Sequence, residues 1–217
     1  MAVSFEGFYT KLQHAGIVPM ASLARGGDAA RLADVVAASG LAALEVELMS
    51  ADALDAVRAA RAAHPELLLG VGTVRSTDQA DAAAECGADY VSTPSFDAAL
   101  AEHCIARGLP CIPVTVDEGG IFKADRLGLT ATGIIPANDS GALGSIERFS
   151  AAFGGHLFMP RGGVTAENLA VYLRSDAVIA CGSPDWPTAP ALLEAGEYDA
   201  IAASCAQAAT ALAAARG

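Results

Sequence analysis

Eight short apolar runs, set at intervals and separated by stretches of helical period, constrain the fold of this chain more than any other feature. They are IVPMASL (17–23), LAALEVEL (41–48), LLLGV (67–71), DYVST (89–93), PCIPVTV (110–116), ATGII (131–135), HLFMP (156–160) and AVIAC (177–181). Each is strand-length and poor in charge, as parallel strands covered on both faces are. In DAARLADVVAAS (28–39), Leu32, Val35 and Val36 share a helix face, as Leu54 and Val57 do in ADALDAVRAARAA (51–63). Gly40, Gly87, Gly108 and Gly128 each fall between a helix and the next strand, where a left-handed helix exit is wanted.

This alternation predicts an α/β chain folded as a compact (β/α)8 TIM barrel, one domain over residues 1–217, with FEGFYTKLQHAG (5–16) as an extra N-terminal helix across the bottom. An open doubly wound sheet is the alternative, and both place function at the strand C-termini. Hydrophobic residues make up 53% and aromatics only 6%, so the core is built from Ala, Leu, Val and Ile.

Charge narrows the function. A net charge of -12 and only two lysines, Lys11 and Lys123, give no basic patch for a phosphate backbone, which disfavours nucleic acid and favours a small ligand. Cys86, Cys104, Cys111, Cys181 and Cys205 form no C-x-x-C pair and read as reduced core thiols. No apolar run approaches the roughly 18 residues of a membrane span, and the first residues lack a basic start and an apolar stretch. A cytoplasmic protein is expected.

Polar groups gather at the strand ends: Arg25, Glu45 and Glu47, Thr73, Pro94, Thr115, Pro136 and Asn138, Arg161-Gly162-Gly163, and Gly182-Ser183. Glu45 and Glu47 are two apart, so both project to one side of their strand, where a carboxylate is costly unless partnered or used. They are candidates for a proton-transfer pair or for metal ligation; a structural ion pair with Arg25 or Arg161 is the plainer alternative. In MPRGGVTAENL, paired glycines precede a helix start, so bare N–H groups there are suited to an anion, or the glycines simply make tight turns. His14, His64, His103 and His156 form no metal motif and read as structural or surface groups. Met49, Met159 and Trp186 read as packing residues.

Taken in order, VPMASLARG, LEVEL, GVGTV, STPSF, GLTATGIIPAN, MPRGGVTAENL and LLEAGEYDAI resemble segments of the 2-keto-3-deoxy-6-phosphogluconate (KDPG) and 4-hydroxy-2-oxoglutarate (KHG) aldolases. That family is a homotrimeric (β/α)8 barrel that splits a 2-keto-4-hydroxy acid into pyruvate and an aldehyde through a lysine Schiff base. The resemblance implies Glu45 as general acid/base, Thr73 and Pro94 at the pyruvate end, and Gly162, Gly163, Gly182 and Ser183 around a phosphate. The ligand it implies is a 2-keto acid or phosphorylated sugar acid.

The departures fall on the chemistry. Gly133 stands where the family has its lysine, Met49 where it has a carboxylate-binding arginine, Arg161 where it has a threonine, and Pro184 where it has a serine. A Schiff base needs an amine as electron sink. Three routes are open. Lys123 could reach in from the helix after strand five; Glu45 and Glu47 could hold Mg2+ or Mn2+ although no cofactor is expected; or the barrel could bind or isomerise a small anionic acid, with Arg25 and Arg161 as a clamp and Glu45/Glu47 moving a proton.

Overall fold

The computed structural model describes residues 5–23, 28–137 and 141–216. Eight strands run in chain order: β1 (Ile17–Ala21), β2 (Ala43–Glu47), β3 (Leu68–Gly72), β4 (Tyr90–Thr93), β5 (Cys111–Thr115), β6 (Ala131–Ile134), β7 (Leu157–Pro160) and β8 (Cys181–Ser183). The helices are α1 (Glu6–Ala15), α2 (Asp28–Ala38), α3 (Ala53–Ala63), α4 (Thr77–Glu85), α5 (Ala98–Arg107), α6 (Glu118–Arg126), α7 (Ala142–Ala152), α8 (Ala166–Leu173), α9 (Pro190–Ala195) and α10 (Tyr198–Arg216).

All pairings are parallel, in the order β7-β6-β5-β4-β3-β2-β1-β8. Bridges Phe158↔Val178 and Arg161↔Gly182 join β7 to the β8 segment and bring the sheet round into a nearly closed barrel, which disposes of the open-sheet alternative. The four helix-exit glycines at 40, 87, 108 and 128 all take positive φ. α1 precedes the first strand, as expected, and α10 adds a long helix at the other end of the chain.

The eighth run differs from expectation. Val178 and Ile179 are buried, but the ladder with β1 begins only at Ile17↔Cys181, so β8 is displaced toward the mouth. The apolar run instead underlies β7, with the Ile179 N–H donating to the Phe158 carbonyl at 2.9 Å. Burial alone could not separate a strand from a buried approach to one.

Period-two alternation divides the core. Ile17, Leu44, Leu69 and Val91 pack outward against the helices. Val18, Ala43, Leu68, Tyr90, Ile112, Ala131 and Met159 fill the interior together with Phe8 and Leu12 of α1. Phe8 sets its ring 5.1 Å from that of Tyr90, so α1 plugs the bottom, and burying Phe8 and Leu12 contributes about 1.5–3 kcal/mol each. The closed end is apolar, which leaves the C-terminal end for polar groups. Among the described residues, all five cysteines are free and buried, and no helix is long and apolar enough to cross a membrane.

Candidate active site

Register assembles the mouth. Glu45 of β2 pairs with Met20 of β1 and Gly70 of β3; Gly70 pairs with Tyr90, Gly133 with Val114 and Met159, and Arg161 with Gly182. Because side chains alternate, these residues share the inner side of the barrel. Two glycines make the space. A Cβ on Gly70 would fall on the Tyr90 ring, and one on Gly72 would lie 2.5 Å from Glu45 Oε1 and 2.8 Å from the Glu47 carboxyl.

The two glutamates have different fates. Glu45 is 0% exposed and accepts from three donors: the Tyr90 hydroxyl to Oε2 at 2.8 Å, the Ser92 hydroxyl to Oε1 at 2.8 Å, and Arg161 Nη2 to Oε1. Arg161 also donates through Nη1 to Ser92 Oγ at 2.9 Å and through Nη2 to Met20 Sδ at 3.2 Å. Glu45 and Arg161 therefore form a buried, hydrogen-bonded ion pair. Glu47 lies 3.7 Å from Arg161 Nη2, and its Oε2 accepts the Thr73 hydroxyl.

Glu47, unlike Glu45, lines a mouth cavity of about 200 Å³, with Met20, Thr73, Pro94, Val114 and Arg161 among its walls. Burial raises the Glu47 pKa, and the neighbouring Glu45 charge adds to this, against the opposing pull of Thr73 and Arg161. Burial works against the Arg161 charge, but Glu45 and Glu47 outweigh it and hold the guanidinium protonated. Thr73 has φ 59°, the one positive value among the described non-glycine residues. For a β-branched residue this stores about 1–3 kcal/mol of strain, at the residue whose hydroxyl meets Glu47.

Gly133 faces the same interior. A Cβ there would lie 3.1 Å from Arg161 Cδ and 3.0 Å from Val114 Cγ2, so the Arg161 stem occupies the space in front of this position. The cation of the mouth is thus a guanidinium from β7, which stays protonated and cannot form an imine.

The other candidate residues are scattered. Lys123 is exposed on α6 and borders a neighbouring depression that shares Pro94 and Val114 with the mouth cavity but contains neither Glu47 nor Arg161. Arg25 and Asn138 lie outside the described residues. Thr115 points outward, its hydroxyl 3.3 Å from that of Thr132.

Gly162 and Gly163 take φ 71° and 83°, and their carbonyls accept from the Ala137 N–H and Asn168 Nδ2. Gly182 faces inward against Met159, Met20 and Arg161, and the Ser183 hydroxyl is engaged with the Val164 carbonyl and the Trp186 N–H. Gly162 lines the mouth cavity, and the Arg161↔Gly182 bridge sets Gly182 beside that loop. At the start of α8, Thr165 and Asn168 close a capping box on each other.

A divalent cation does not fit between the two carboxylates. Arg161 already supplies the positive charge there, the oxygens accept from Tyr90, Ser92 and Thr73, and among the described residues no group of three or more His, Cys, Asp or Glu side chains converges.

Tyr90, Ser92, Gly70 and Gly72 carry the site, yet sequence reasoning passed over them. The signal was available: Tyr90 and Ser92 are two apart on a strand, as Glu45 and Glu47 are, but only the barrel register shows that the two pairs face each other.

A (β/α)8 barrel with an acid-bearing cavity at its strand C-termini has the frame of a small-molecule enzyme. Within that class, the chain belongs to the KDPG and KHG aldolase family, whose model matches residues 9–204. It is 33% identical to the 2-dehydro-3-deoxy-phosphogluconate aldolase of Pseudomonas aeruginosa over 189 residues, 87% of this chain and 86% of that one. The Treponema pallidum enzyme of the same name is 29% identical over 90% of this chain and 92% of its own. The crystal structure of the 2-keto-3-deoxy-6-phospho-gluconate aldolase of Zymomonas mobilis ATCC 29191 superposes with a TM-score of 0.82 at 25% identity, covering 92% of this chain and 95% of that one. The chain is aldolase-like in fold and family.

Proposed function

We propose that this protein acts on a small 2-keto acid at the mouth cavity by proton transfer through Glu47, without a covalent imine. The observation that carries the reading is the cavity wall itself: Glu47 and Arg161 stand side by side there, while Gly133 offers no side chain. A carboxyl whose pKa burial raises holds its proton more readily than an ordinary glutamate, which suits it to giving and taking a proton. In the cleavage direction, Glu47 in its ionised form takes the 4-hydroxyl proton, the C3–C4 bond breaks, and its electron pair passes to the C2 oxygen. Arg161 stabilises the resulting enolate charge, and a proton returned to C3 gives the shortened keto acid. Thr73 holds Glu47 through its carboxyl oxygen.

The same reading makes the protein a cytoplasmic, one-domain homotrimer that takes no nucleic acid. Its test is exchange of the pyruvate methyl protons in D2O, followed by proton NMR. Exchange catalysed by the wild type and lost in Glu47→Gln is expected. A wild-type rate no faster than buffer overturns the assignment and leaves a binding protein on an aldolase scaffold.

A further inference from the structure

We propose that Glu45 is a positioning residue, a fixed counter-charge that holds Arg161 off Glu47 and so leaves Glu47 free to exchange its proton with an occupant of the cavity. The inference rests on the preceding reading only in taking Glu47 as the exchanging group.

One guanidinium stands between two carboxylates, and the geometry commits it to one of them. Nη2 contacts Glu45 Oε1 but stays 3.7 Å from Glu47 Oε1. That choice is enforced from β4. Ser92 accepts from Arg161 Nη1 at 2.9 Å while donating to Glu45 Oε1 at 2.8 Å, so a single hydroxyl ties the two charges together. Tyr90 holds the other oxygen of Glu45, and its ring has its place because Gly70 has no side chain.

Swinging Arg161 to Glu47 would break the Ser92 contact and leave Glu45, which is 0% exposed, without its cation. An uncompensated buried charge is strongly disfavoured. The charged and titratable groups facing Glu47 are Arg161 from β7, Glu45 from its own strand and Tyr90 from β4, with the Thr73 hydroxyl from the end of β3. Arg161 is the one cation among them, and Glu45 has the larger share of it. Glu47 is left with a neutral hydroxyl as its direct partner and with access to the cavity.

The test uses the ligand-free, full-length protein with 13C-labelled glutamate carboxyls, titrated by NMR. One inner carboxyl is expected to titrate above the ordinary glutamate midpoint of about 4.3. That signal is expected to vanish in Glu47→Gln. In Glu45→Gln it is expected to remain and to move down by about one pH unit or more, through loss of the Glu45 charge together with the turn of the released Arg161 to Glu47. The milder Ser92→Ala, which frees Nη1, is expected to move it the same way by less and covers the case in which Glu45→Gln does not fold.

A high-titrating signal that survives Glu47→Gln overturns the proposal, as does a Glu47 midpoint left unmoved by Ser92→Ala, which keeps the Glu45 charge and loosens only its hold on Arg161. No substrate enters the measurement. Failure of the pyruvate exchange test therefore leaves this result standing, and failure here leaves the exchange result standing.

Discussion

Arg161→Met removes the guanidinium while keeping a long apolar stem across Gly133. Glu45 then remains at 0% exposure with Tyr90 and Ser92 as hydrogen-bond partners but no cation. Removing one member of a buried pair costs about 3–5 kcal/mol, because the orphaned charge is desolvated without compensation. In a chain of this size that corresponds to roughly 6–20 °C in melting temperature. Urea unfolding is the assay, reading the midpoint at unchanged slope. The double variant Glu45→Leu/Arg161→Met replaces the pair with apolar groups and is expected to recover most of the loss. A single variant that loses less than about 1 kcal/mol, or a double variant no more stable than the single, would show that Arg161 and Glu45 do not depend on each other.

Gly72→Ala places a methyl group 2.5 Å from Glu45 Oε1; it is expected to cost about 1–3 kcal/mol and to displace Glu47, measured as lost stability together with lost pyruvate exchange. His156 is 2% exposed, and burial pushes its pKa down to about 4. The unfolded chain, with an ordinary value near 6.5, binds the proton first, so stability is full above about pH 6.5 and is lost progressively as pH falls toward about 4. The loss reaches about 2–3 kcal/mol by about pH 4.5, and His156→Asn is expected to flatten that window in urea titrations at successive pH values. Lys123→Met, on the exposed side of α6, is expected to leave pyruvate exchange at the wild-type rate. Light scattering is expected to give three times the 21.8 kDa chain mass; a monomer mass would remove the trimer from the reading.

The barrel was legible because its information is local and repeated. Apolar runs of strand length, helical period between them and glycines at the helix exits all agree, and each strand's covered face shows in its own residues. The eighth strand was misplaced because burial beneath β7 and pairing with β1 produce the same apolar run. Glu45, Glu47 and Arg161 were legible as a charged cluster, since a carboxylate inside a barrel demands a partner. Their division of roles was not, because it depends on which carboxylate reaches the cavity and which receives Tyr90 and Ser92 from two strands away. Nor could the sequence show that the stem of Arg161 fills the space in front of Gly133. That relation joins residues 28 positions apart through packing, and an absent side chain leaves no pattern to read.

If this barrel works without an amine in its cavity, pyruvate and borohydride leave no mark on the chain, which intact mass spectrometry reads. An unmodified chain mass is expected under conditions where pyruvate exchange proceeds. A stable adduct that maps to Lys123 or Lys11 would return the chemistry to an iminium and overturn proton transfer through Glu47 alone.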